Sequence, residues 1–202
     1  MAWRADSDVI AALHRAGYAV HDAFLDDREV AYWRAFALAR RADGTLRPAA
    51  IGRGAQRAVH AELRADHIAW IDPDPSQPRQ AELAARLEAL RLAFNEALQL
   101  GLFDLELQVA IYPAGAFYRR HVDRFRDDDA RVVSLVCYLN QDWTESDGGR
   151  LRLWPASAPQ TFVDIAPRAG RLVAFWSADT AHEVLPTQRE RFSLTGWLRR
   201  RR

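Results

Sequence analysis

Arg191-Phe192-Ser193-Leu194-Thr195-Gly196-Trp197-Leu198 alternates between two kinds of side chain. Successive side chains of a strand point to opposite faces, so Arg191, Ser193, Thr195 and Trp197 share one face while Phe192, Leu194 and Leu198 share the other. The apolar face belongs in a core. The polar face either meets solvent or, if buried, needs a charged guest, because an unpaired guanidinium cannot shed its charge. Similar strand-like runs recur between turn signals over 104–112, 117–123, 131–139, 150–154, 160–165, 171–176 and 182–185, with the final run over 190–198. Short strands at this spacing, without βαβ alternation, point to a closed or double-sheet β architecture with helices packed outside.

Upstream the pattern is helical. Val9, Ile10, Leu13 and Ala16 have helix spacing and end at Gly17, and Tyr18-Ala19-Val20 follows as a short strand. Asp26 with Glu29 makes an acidic capping box for a helix through about Arg41, with Val30, Trp33, Phe36 and Ala37 as its buried stripe. Glycines and Pro48 punctuate 42–66, a connection with some strand content, and His67 to Ile71 forms a strand. After the breaker stretch 72–78, a helix over 79–99 aligns Leu83, Leu87, Leu90, Phe94 and Leu98.

The chain has 202 residues with 49% hydrophobic content, enough for one good core and a single domain over 1–202. A net charge of +1 implies no polyanion partner. All 28 basic residues are arginine, which excludes lysine Schiff-base chemistry and a phosphate-loop lysine. The one cysteine, Cys137, excludes an intrachain disulfide and alternates away from Tyr138 into the core. No apolar run approaches the ~20 residues of a membrane span and no signal-like segment opens the chain, so a cytoplasmic protein acting without membrane or nucleic acid is expected. The Arg199–Arg202 run is expected to be a solvated tail.

His121-Val122-Asp123 sits in one of the strand-like runs, where residues at i and i+2 face one side and can grip an ion together. His182 offers a further imidazole from a distant strand. Any one of the six histidines alone would be a surface or satisfied core residue; the context raises the odds of a metal site. Two imidazoles and a carboxylate form the facial set of non-haem Fe(II) oxygenases, which leaves positions for a cosubstrate and O₂. Ligand type alone excludes neither zinc nor manganese. Arg191 favours iron, as a fixed cation for the far carboxylate of a 2-oxo acid. Tyr138 groups by alternation with Ser134 and Val136 and could donate to that carboxylate, and Tyr112 to the chelating end; a core ring with a satisfied hydroxyl is an equal reading for each.

A series of ordered motifs then carries a resemblance: Tyr112-Pro113-Ala114-Gly115 into His121-Val122-Asp123, Cys137-Tyr138-Leu139-Asn140-Gln141-Asp142-Trp143 into Gly148-Gly149-Arg150-Leu151-Arg152, Asp164-Ile165-Ala166-Pro167 before Arg171-Leu172-Val173-Ala174-Phe175-Trp176-Ser177, and His182-Glu183-Val184 before the final strand. Together these resemble the 2-oxoglutarate- and Fe(II)-dependent prolyl 4-hydroxylase family, in particular bacterial relatives of the oxygen-sensing prolyl hydroxylases. The match covers about 104–198. A weaker echo lies in Leu63-Arg64-Ala65-Asp66-His67-Ile68-Ala69-Trp70, and 52–63, where the family has a substrate-covering loop, matches only in general character.

The resemblance implies a mainly β fold, a double-stranded β-helix (jelly-roll) core over 104–198, with residues 1–100 giving helical support and substrate-side strands. It implies His121, Asp123 and His182 as Fe(II) ligands, with no catalytic residue beyond the metal centre. Arg191, Tyr138, Tyr112, Thr195 and Val136 would surround 2-oxoglutarate. Trp197, Asp66, Trp70 and Arg64 would lie toward the substrate. The implied reaction hydroxylates a prolyl-containing protein or peptide, using 2-oxoglutarate and O₂, yielding succinate and CO₂, with ascorbate as reductant. A free amino acid or other small molecule is the alternative substrate, and a non-catalytic metal-binding or sensory jelly roll is the alternative class.

Overall fold

The computed structural model describes residues 7–52, 58–124 and 128–201. Helix α1 (Ser7–Ala16) stops where Gly17 takes a left-handed φ of 81°, and β1 (Tyr18–His21) follows. At the start of α2 (Asp27–Ala42), the Asp26 carboxylate accepts from the Glu29 amide and the Glu29 carboxylate from the Asp26 amide, both at 2.8 Å. Two otherwise orphaned helix N–H groups are thereby satisfied. Short β2 (Arg47–Pro48) and β3 (His67–Trp70) lead to α3 (Pro78–Leu98), which buries Leu83, Leu87, Leu90 and Phe94, with Leu98 partly covered. Then come β4 (Leu102–Tyr112), β5 (Tyr118–His121), β6 (Arg131–Tyr138), β7 (Leu151–Trp154), β8 (Val163–Ile165), β9 (Leu172–Trp176), β10 (Ala181–Val184) and β11 (Arg191–Arg200).

The strands form two antiparallel sheets, ordered β1-β9-β6-β11-β4-β3-β2 and β5-β10-β7-β8. This is the jelly roll with helical support expected of the sequence. Strand alternation sorts the side chains into two apolar layers. Phe192, Leu194 and Leu198 join Cys137, Leu107 and the inward stripes of the helices, including Val30 and Trp33, behind the large sheet. Tyr112, Val136, Tyr138, Leu153, Val173 and Phe175 form a second cluster between the sheets. Cys137 is thus core packing, and burial pushes its thiol well above the ordinary thiol range.

Two expectations need correction. The strand expected over 117–123 ends at His121, because the amides of Asp123 and Arg124 leave the ladder and donate to the Ser177 carbonyl at 3.1 and 3.0 Å. The run from Arg199 is also not a solvated tail throughout. Strand β11 continues to Arg200, whose amide donates to Ala130 O at 2.9 Å, while the Arg199 guanidinium pairs with Asp104 and Glu106 and the Arg200 side chain with Asp129. Acidic partners on the neighbouring strand and loop tie these arginines down. Part of the expected covering loop, 53–57, lies outside the described residues, and Ile51 and Ala58 bridge across it. Among the described residues, no helix is long and apolar enough to cross a membrane.

Candidate metal centre

His121 and His182 face each other directly in the β5–β10 ladder, with ring centroids 4.2 Å apart. Asp123, one turn of chain beyond β5, places its carboxylate against both: Oδ1 lies 3.6 Å from His121 Nε2 and Oδ2 lies 3.7 Å from His182 Nε2. One ligand atom from each of the three residues falls within 4.8 Å of the others. The distal ring nitrogens are engaged, His121 Nδ1 with Arg119 O at 2.7 Å and His182 Nδ1 with Thr180 O at 3.1 Å. A carbonyl can only accept, so Nδ1 carries the proton and Nε2 keeps its lone pair toward the cluster.

The carboxylate is also held from behind. Ser134 Oγ donates to Asp123 Oδ2 at 2.7 Å and sits 2.8 Å from the equally buried Ser177 Oγ. Burial alone would raise the Asp123 carboxyl, but His182, His121 and the Ser134 hydroxyl outweigh it and hold the group far below the usual range. Burial, reinforced by the second imidazole, lowers His182 to about 4 despite the carboxylate. The set is therefore one ionised carboxylate and two lone-pair nitrogens on one wall. Those are the donors a borderline divalent ion takes, and they occupy only part of an octahedral shell.

His121 has a stacked support. The Tyr118 ring lies on it at 3.6 Å and 19°, and the Arg64 guanidinium carbon lies over the Tyr118 ring, 4.6 Å from its centroid. Asp66 grips Arg64 with bonds of 2.6 and 2.9 Å. Burial works against the Arg64 cation, but the bidentate Asp66 carboxylate outweighs it and raises its pKa.

The cluster opens onto a cavity of about 300 Å³ between the sheets. Its walls include Arg64, Asp66, Trp70, Tyr112, Val136, Arg191, Thr195 and Trp197 beside the three metal-type ligands. Of the site residues expected from the sequence, only Tyr138 is not on the wall. It lies behind Arg191, whose guanidinium carbon is 4.9 Å from both the Tyr112 and Tyr138 ring centroids. Arg191 is 1% exposed, donates through Nε to Gly149 O at 2.9 Å, and has no carboxylate partner among the described residues. Among the described residues the buried Tyr138 hydroxyl has no hydrogen-bond partner, and burial, opposed by Arg191, pushes its phenol to about 12. A buried cation and an orphaned phenol O–H side by side form a site for an anion with acceptor oxygens, such as a carboxylate.

Sequence reasoning missed Ser177, Tyr118, Arg131 and Gln108. Arg131 lies 3.7 Å over the Trp197 ring, and Gln108 shares the β4 face with Tyr112. Alternation along β4 from Tyr112 would have found Gln108, whereas Ser177 and Arg131 depend on contacts between distant segments and Tyr118 on the irregular β5–β10 register.

Comparison with known proteins agrees with this geometry. Residues 107–199 match the family model of the 2OG-Fe(II) oxygenase superfamily. A Pseudomonas putida prolyl-4-hydroxylase structure is 45% identical, with a TM-score of 0.86, over 97% of this chain and 99% of that one. A Trichoplax adhaerens prolyl hydroxylase, solved with a hypoxia-inducible factor oxygen degradation domain peptide, is 28% identical with a TM-score of 0.82, over 96% of this chain and 88% of that one. The Caenorhabditis elegans hypoxia-inducible factor prolyl hydroxylase is 35% identical over 144 residues, 67% of this chain. The chain spans 20% of the length of that relative and 33–41% of the human, mouse and rat Egl nine homolog 1 proteins, to which it is also 35% identical.

Proposed function

Because the chain belongs to the prolyl 4-hydroxylase branch of the 2OG-Fe(II) oxygenase superfamily, we propose that it is a 2-oxoglutarate- and Fe(II)-dependent dioxygenase hydroxylating prolyl residues of a protein or peptide. The observation that carries this reading is the uncompensated, buried Arg191 in the same cavity as the His-Asp-His cluster. The whole chain 1–202 acts as one domain, with 1–100 as support and substrate side and 104–198 as the catalytic core. We assign its action to the cytoplasm, in keeping with a single buried cysteine.

In this reading His121, Asp123 and His182 hold Fe(II), the histidines through Nε2. Arg191 binds the far carboxylate of 2-oxoglutarate, the Tyr138 hydroxyl donates to the same carboxylate, and Tyr112 serves the chelating end. Val136 and Thr195 line the space between. When bound, Fe(II), 2-oxoglutarate and O₂ supply the oxidising power that turns a substrate C–H into C–OH, with succinate and CO₂ as coproducts and ascorbate as reductant. The protein's part is placement: neutral imidazoles toward the cluster, an ionised carboxylate, a cation fixing one end of the cosubstrate, and an apolar lining that excludes water. Trp197 and half-exposed Trp70, whose ring centroids are 6.1 Å apart, form the substrate side. Asp66 neutralises Arg64, and the Arg64 guanidinium packs on the Tyr118 ring that stacks on His121, so that pair acts through Tyr118.

The test is anaerobic addition of 2-oxoglutarate to the Fe(II) protein. A visible charge-transfer band is expected, and its loss in Asp123→Ala. Aerobic incubation with cell extract should then place hydroxyproline in the protein fraction. Hydroxyproline only among dialysable molecules would identify a free amino acid as substrate, and bound iron with neither band nor turnover would leave a metal-binding jelly roll.

A further inference from the structure

The mechanism above leaves two buried polar side chains of the cavity unused, Ser193 at the Arg191 end and Gln108 further along the sheet. Gln108 is 2% exposed and lines the cavity, yet its carboxamide makes no hydrogen bond to any described residue. A carboxamide on a cavity wall can offer both its donor and its acceptor to a ligand. Its place in the sheet says which ligand. Gln108 pairs with Thr195 on β11 and with Trp70 on β3. Arg191 pairs with Tyr112 at the far end of the same ladder, and Trp197 pairs with Glu106, on the side of Gln108 away from Arg191. Four residues of strand separate Gln108 from the Tyr112 level, roughly 13 Å along the sheet at about 3.3 Å per residue. Gln108 therefore sits toward the tryptophan end of the cavity, away from the cosubstrate's cation. The indole N–H of Trp197 in the next row is buried with no acceptor among the described residues.

We propose that Gln108 is a specificity-determining residue whose carboxamide hydrogen-bonds a peptide group next to the residue being oxidised. A carboxamide offers one acceptor and one donor, the complement of a peptide N–H and C=O. It matches the charged ammonium and carboxylate of a free amino acid less well. This deepens the prolyl-peptide reading and rests on it.

The experiment compares wild type with Gln108→Met, which keeps an unbranched chain of similar length but no amide. The probe is dialysed bacterial cell extract at limiting concentration, with protein-bound hydroxyproline as the readout. In parallel, the charge-transfer band is titrated with 2-oxoglutarate. The variant should hydroxylate the protein fraction about 5- to 10-fold more slowly, with its 2-oxoglutarate affinity within about twofold of wild type. Saturating extract should restore much of the rate, separating weakened substrate binding from general damage. Equal rates at limiting extract, or a matching loss of 2-oxoglutarate affinity, would overturn the role given to Gln108 alone. A wild type that places hydroxyproline only among small molecules would overturn the peptide reading, and this inference with it.

Discussion

Arg191 shows how one residue sets the chemistry of a cavity. Its guanidinium is fixed by Gly149 O and by flanking tyrosine rings, so it presents a fork whose direction is set before any ligand arrives. Lysine would keep the charge but lose the planar pair of donors. Arg191→Lys is expected to weaken 2-oxoglutarate binding about 10- to 100-fold, the worth of one or two charge-assisted hydrogen bonds. Titration of the charge-transfer band measures it, and an unchanged affinity would remove Arg191 from the cosubstrate site. Ser134 acts through another residue. Its hydroxyl caps one oxygen of Asp123, and loss of such outer partners typically costs 10–100-fold in metal affinity. Ser134→Ala should therefore weaken Mn(II) or Fe(II) binding by about that factor, with little change in the melting temperature of the metal-free protein, and Ser134→Thr should restore it.

Among the elements, strands are more legible in sequence than the turns that join them. Along β11, Phe192 and Leu194 had to face a core and Arg191 and Ser193 the opposite side, which fixes the strand's faces from alternation alone, although the strand runs on to Arg200. The capping box of α2 is a local pattern, legible for the same reason. Asp123 was placed on the right wall by strand spacing but for an incomplete reason, because the chain has already left β5 to reach the Ser177 carbonyl. Ser177 and Arg131 meet their partners only through segments far apart in sequence, and Tyr118 stacks on His121 of its own strand where the β5–β10 register is irregular, which no local period encodes. Turns carry their own constraints. Gly170, between β8 and β9, has φ +74°, and a Cβ there would lie 2.4 Å from Leu25 O. Gly170→Ala combines left-handed strain with overpacking and should destabilise the protein by about 2–4 kcal/mol. Denaturant unfolding would measure this, and a loss below about 1 kcal/mol would mean that the loop shifts freely.

At the scale of the molecule, two core layers divide the work. The layer behind the large sheet packs the helices, whereas the layer between the sheets carries the cavity and the His121, Asp123 and His182 cluster. The three cluster side chains converge with Ser134, Thr180 O and Arg119 O as partners, so the fold is expected to form before metal binds. A metal-free protein should melt cooperatively with its near-ultraviolet circular dichroism intact. Metal that binds only the folded state should then add stability by mass action, about 2.7 kcal/mol at a hundredfold excess over Kd. For a chain of this size that corresponds to about 5–10 °C in Tm. Asp123→Ala should show no such rise with Mn(II). 2-Oxoglutarate should raise Tm further only with metal present, and should do so less in Arg191→Lys. A metal-free protein without cooperative melting would place the cluster among the contacts that build the fold rather than on a scaffold already formed.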